Sequence, residues 1–84
     1  MRLYLQRRPT AGEAPKYLQI TLEQDLFGGW FLVRESGTTG ARPTVKREQF
    51  LDREQALAAF ESARDAQLKR GFQVMFAQGA EAPR

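Results

Sequence analysis

Apolar residues recur along this chain at two spacings, and the change from one to the other divides it. Up to Phe50 they tend to fall at every second position, and beyond Asp52 they fall every third or fourth. A period of two belongs to half-buried strands and a period near 3.6 to an amphipathic helix. Leu3 and Leu5 alternate with Arg2, Tyr4 and Gln6, which predicts a strand over Met1–Arg8. Pro9 is expected to end it, because proline has no N–H to give to a ladder. Residues 9–16, PTAGEAPK, read as a mobile, exposed loop. The alternation is cleanest over Tyr17–Glu23, with Leu18, Ile20 and Leu22 facing a core.

The run Trp30-Phe31-Leu32-Val33 is short, partly aromatic and bounded by Gly28-Gly29, so it predicts a strand covered on both faces and flanked by neighbours. The glycine pair is expected to supply the positive φ angles of a tight hairpin. Ser36-Gly37-Thr38-Thr39-Gly40 reads as a turn after Arg34. Thr44–Phe50 is mostly polar, with Val45 and Phe50 as inward anchors, and a strand of that kind belongs at a sheet edge.

Asp52 followed by Gln55 predicts a helix N-terminus, the Asp carboxylate accepting from amides of the first turn. Ala56, Leu57, Phe60, Ala63, Ala66 or Gln67, and Leu68 then form an apolar stripe with Phe60 as its central wedge. Asp65 and Lys69 stand in the favourable i, i+4 order. Lys69 and Arg70 suit the C-terminal end of the dipole, and Gly71 suits the left-handed position that closes a helix. Phe72, Val74 and Phe76 alternate with Gln73 and Met75, as a last strand or as an extended segment beside the helix. The prediction is an α+β domain over residues 1–77, an antiparallel sheet of four to five strands with one long helix on one face. Residues 78–84 are expected to fray.

Composition narrows the chemistry. The chain has 84 residues with no cysteine and no histidine, so the commonest general base and the commonest metal ligands are missing together. Ser36, Thr38 and Thr39 have no histidine to activate them, and the chain carries no phosphate loop of the Gly-Lys-Ser/Thr type. Glu23 with Asp25, and Asp52 with Glu54, read as turn and cap carboxylates before they read as an acid/base pair. No enzyme activity, cofactor or metal is therefore expected. No apolar stretch approaches membrane-spanning length, and no membrane partner is expected. The absence of cysteine fits a reducing, cytoplasmic setting. Net charge is +3, and Arg34, Arg42, Lys46 and Arg47 gather around the Gly-punctuated segment, with Arg2, Arg7 and Arg8 expected nearby if the first strand pairs into the sheet. Cations beside free backbone amides suit phosphate contacts.

From Tyr17 to Phe72 the chain resembles a WGR domain, a family named for a Trp-Gly-Arg triplet that occurs in some poly(ADP-ribose) polymerases and in bacterial proteins such as the molybdate metabolism regulator. The resemblance lies in the Gly-Gly-Trp-Phe opening at Gly28–Phe31, the run into Arg34, Gly37, Gly40, the Phe50 before the helix, and the Lys69-Arg70-Gly71-Phe72 ending. The triplet falls on Ser36-Gly37-Thr38, so its glycine is kept while its tryptophan and arginine are not. The motif-equivalent segment is thus Ser36, Gly37, Thr38 and Gly40. The resemblance implies a sheet crossed by one helix and a general affinity for nucleic acid, whereas the family's roles for the missing Trp and Arg have no residue here to carry them. The reading is a non-enzymatic binding module with weak, salt-sensitive affinity for DNA or RNA through Arg34, Arg42, Lys46 and Arg47. The alternative is a protein-interaction module, with the Thr44–Phe50 edge adding a partner's strand.

Overall fold

Five strands and one helix take shape in the order that the two spacings predict. The computed structural model describes residues 1–8 and 11–79. The strands are β1 (Arg2–Arg7), β2 (Lys16–Gln24), β3 (Trp30–Thr38), β4 (Thr44–Phe50) and β5 (Gln73–Gln78), and the helix α1 (Arg53–Lys69) lies between the last two. All neighbours are antiparallel, in the order β4-β3-β2-β1-β5. The first four strands form a meander, and α1 carries the chain back across one face so that β5 can pair with β1 at the far edge. Pro9, Thr10 and residues 80–84, with the expectations attached to them, lie outside the described residues. Gln78 ends β5, opposite Arg2.

Register decides which side chains meet the helix. Leu3 stands opposite Ile20, Leu5 opposite Leu18 and Leu22 opposite Leu32, and all six are buried on the helix face. Phe60 and Ala56 are the buried helix residues, with Phe60 wedged among those leucines. The helix starts where expected, Gln55 N–H donating to the Asp52 Oδ1 at 2.8 Å. It stops in a Schellman motif: Phe72 N–H donates to the Gln67 carbonyl and Gly71 N–H to that of Leu68, with Gly71 at φ +93°. The apolar stripe is shorter than its sequence, for Ala66 and Leu68 are exposed. Asp65 binds the neighbouring Arg64 at 3.0 Å rather than Lys69.

Four sequence expectations fail for identifiable reasons. The strand through Trp30–Val33 is covered on one face only. Leu32 is buried beneath α1, while Phe31 looks onto the open face under the Arg47 guanidinium, 4.7 Å from its ring centre. Val45 is 54% exposed, because it pairs with Glu35 on that open face; Phe50, opposite Trp30, does pack on the core. Phe76 is not in line with Val74. Tyr4 pairs with Phe76 and Leu5 with Val74, so Met75 is an unpaired bulge that turns Phe76 outward. Of the glycine pair only Gly28 has a positive φ, +88°. At Gly29 a Cβ would lie 2.6 Å from Asp25 Oδ2, so a side chain there would push the Asp25 carboxylate aside.

Candidate nucleic-acid interface

The segment read as a turn, Ser36 to Gly40, is mostly strand. Lys16, Tyr17 and Leu18 pair with Thr38, Gly37 and Ser36, and Thr39 N–H donates to the Pro15 carbonyl at 2.9 Å. These ladder bonds outweigh the turn preferences of glycine and serine. The Tyr17 ring lies beside Gly37, 3.4 Å from where a Cβ would stand, and fills the missing side chain's place. Tyr17 Oη donates to Glu35 Oε2 at 3.2 Å, and its ring stacks on that of Tyr4 with centroids 6.1 Å apart. The Tyr17 pKa is raised above the ordinary 10.0, first by burial, then by the Glu35 hydrogen bond and charge, with a smaller contribution from Tyr4. The chain turns only after this, through Thr39 and Gly40, with Gly40 at φ +88°.

Near its C-terminal end α1 leaves the last rows of the sheet uncovered, and these rows are cationic. Arg7 stands opposite Lys16, and Arg34 opposite Lys46, all four on the helix side by the same alternation that buries Leu3, Leu5, Leu18 and Ile20. Arg70, the residue that closes the helix, completes the set. Together they line a cleft of about 610 Å³ floored by Leu18 and Phe72 and containing no carboxylate among its lining residues. Ser36, Gly37 and Thr38 form part of its wall. From the register, the Ser36 and Thr38 hydroxyls share the helix side, where they can donate to an anion.

Like charges directly opposite on one sheet face repel, and the cost is about 0.2–1 kcal/mol per pair. Two such pairs stand here. Arg34 is partly neutralised by Glu48 at 3.0 Å, but among the described residues no carboxylate lies within ion-pair distance of Arg7, Lys16, Lys46 or Arg70. The helix C-terminus adds a partial negative charge of roughly half a unit. Lys69 and Arg70 outweigh it, and the Schellman bonds occupy the carbonyls of Gln67 and Leu68.

The four cations singled out in the sequence do not form one site. Arg34 and Lys46 line the cleft. Arg47 points to the opposite face over Phe31, and Arg42 sits in the exposed loop after β3, outside the cleft lining. Arg7, expected nearby if the first strand joined the sheet, lines the cleft, and Lys16 and Arg70 line it with no such expectation. They are far apart in sequence, and only the β1–β2 register and the helix length bring them together. Gly40 likewise lies beyond the cleft wall. The carboxylates serve structure: Asp25 Oδ1 accepts from the backbone of Phe27 and Gly29, both at 2.8 Å, and Asp52 caps α1. Among the described residues no cluster of acids fit to hold a metal occurs, and no helix is long and apolar enough to cross a membrane.

A family model for the WGR domain matches residues 1–78. The match extends the resemblance over β1 and β5, the two strands outside Tyr17–Phe72. No curated protein and no solved structure matches the chain.

Proposed function

Because this chain belongs to the WGR domain family, whose members are in general nucleic-acid-binding modules rather than catalytic domains, we propose that it binds nucleic acid through the cationic cleft. Arg7, Lys16, Lys46 and Arg70 hold backbone phosphates there, and Arg34 contributes once phosphate competes with Glu48. Ser36 and Thr38 add hydroxyl donors from the wall. Contacts of this kind fix the nucleic acid without reading its sequence, so the binding is largely sequence-independent.

The observation that carries this reading is the carboxylate-free lining of the cleft, where Arg7 stands opposite Lys16 and Arg34, offset by Glu48, stands opposite Lys46. A polyanion in the cleft would neutralise both pairs at once. That the cleft wall includes the positions where the family's triplet falls is a second support. The protein-interaction alternative would use the edge of β4. Lys46, Arg47 and Glu48 along that strand discourage strand addition, so the cleft is favoured.

A fluorescence-anisotropy titration of a labelled oligonucleotide at low salt tests the proposal. The wild-type chain is expected to bind, and Lys16→Ala with Lys46→Ala to weaken it by at least about tenfold, given roughly 1.5–3 kcal/mol for hydrogen bonds to charged groups. Arg47→Ala, on the other face, is expected to leave affinity unchanged. No binding by the wild type, or equal loss from Arg47→Ala, removes the idea.

A further inference from the structure

At the end of the sheet opposite the cleft, the β2–β3 hairpin presents two large apolar side chains almost wholly to solvent. Leu26 is 97% exposed and Phe27 95%, and Leu51, just past β4 at the same end, is 88% exposed. Isolated exposed apolar residues are ordinary, whereas Leu26 and Phe27 are neighbours on one structured tip. The tip has a defined shape. Asp25 Oδ1 accepts from both Phe27 N and Gly29 N, Asp25 Oδ2 accepts from Gln49 Nε2 at 3.4 Å, and Gly28 takes the turn's positive φ. A pre-formed tip loses little freedom on docking.

Its surroundings select the occupant. Residues 22–30 and 49–54 carry four carboxylates, Glu23, Asp25, Asp52 and Glu54, against Arg53 and the Met1 ammonium, which donates to the Leu22 carbonyl at 3.2 Å. That charge rejects nucleic acid and anionic lipid surfaces. It suits a cavity with a cationic rim beside an apolar side chain, and the cleft on this same protein offers Arg7, Lys16 and Arg70 around the partly exposed Phe72. At about 610 Å³ it has room for a leucine and a phenylalanine side chain.

We propose that the Leu26–Phe27 tip of one molecule docks in the cationic cleft of a second copy, a head-to-tail self-contact. Tip and cleft lie at opposite ends of β2 and β3 in a molecule 45 Å long, so no chain can fill its own cleft. Such a contact is heterologous, and it builds open rows or rings rather than closed twofold dimers. Two anchors make a patch well below the usual interface of about 1,600 Å², which places the contact in the weak, transient class. The inference rests on the shape and charge of the cleft and stands whether or not nucleic acid binds there. Where nucleic acid does bind, it displaces the tip.

Sedimentation velocity on the intact chain, from micromolar to millimolar concentration in low salt, tests this. Two variants separate the halves of the contact: Phe27→Ser at the tip, and Lys16→Glu with Arg70→Glu in the cleft. All three positions are exposed, and far-UV circular dichroism checks that each variant keeps the fold. The wild-type mass is expected to rise with concentration above the monomer's 9.6 kDa. Each variant alone is expected to associate at least about tenfold more weakly. Mixed together they are expected to pair and to stop at the dimer, because the first retains a cleft and the second a tip. A wild-type chain that stays monomeric at millimolar concentration overturns the proposal. So does either variant associating like the wild type, or a mixture that does not pair.

Discussion

Reversing one charge in the cleft should strengthen the fold and weaken its ligand binding together. Lys16 faces Arg7 directly across β1 and β2, both are exposed, and no described carboxylate relieves them. Lys16→Glu removes a cross-strand repulsion and installs an attraction. Each change is worth about 0.2–1 kcal/mol. Solvent screens exposed pairs toward the bottom of that range, about 0.2–0.5 kcal/mol for each change, so the sum is about 0.4–1 kcal/mol. Lys and Glu are both poor strand formers, so intrinsic preference nearly cancels in the comparison. For a domain of this size the gain corresponds to roughly 2–8 °C in melting temperature. Thermal unfolding at low and at high salt is the assay. Because screening shortens to about 3 Å at 1 M salt, the gain should shrink as salt is added, while oligonucleotide binding falls at every salt. A variant no more stable than the wild type at low salt, or a gain indifferent to salt, refutes the claim that the cleft's cations repel one another.

Phe60 is 1% exposed at the centre of the core, and Phe60→Ala should cost about 3–5 kcal/mol. Against a total of roughly 4–13 kcal/mol expected at this length, that brings the chain near unfolding, read as a large fall in the urea midpoint. Asp52→Ala removes the cap on Gln55 N–H and should cost about 1 kcal/mol, seen as a smaller fall in the same midpoint. Tyr17 should ionise above pH 10.0 in an ultraviolet titration, and Glu35→Gln, which removes a charge but not the burial, should bring it only part of the way back. The sign follows from linkage: the fold favours the neutral phenol, so its contribution is intact below the ordinary pKa and is lost as pH rises through the raised one. Stability that increases with pH across that window would contradict the assignment.

The elements were legible wherever local chemistry decided them. Leu18, Ile20 and Leu22 could only be one face of a strand, Asp52 could cap only what followed it, and Gly71 has the left-handed φ that ended the helix. Features set by pairing between distant strands were not. Ser36, Gly37 and Thr38 carry turn-forming residue types, yet the ladder to Lys16–Leu18 and the Tyr17 ring keep them extended. Val45 and Phe76 face the open side because of one-residue effects, the parity of the β3–β4 register and the bulge at Met75. A slip of one residue moves a side chain to the other face. The site suffered most from this. Arg34 and Arg47 looked equivalent in sequence and lie on opposite faces, while Arg7, Lys16 and Arg70 are brought together only by the fold.

The salt dependence of nucleic-acid affinity is the most direct test of the cleft as a phosphate site. Each phosphate neutralised on duplex DNA contributes about −0.9 to the slope of log K against log salt. The four cations without an ion-pair partner among the described residues, with or without Arg34, therefore predict a slope of about −4 for the wild type. Lys16→Ala with Arg70→Ala removes two contacts, and its slope should be shallower by about 2. A wild-type slope near −4 that falls by this amount in the double variant is the predicted result. Absence of binding at low salt, or a slope that the double variant leaves unchanged, would contradict it.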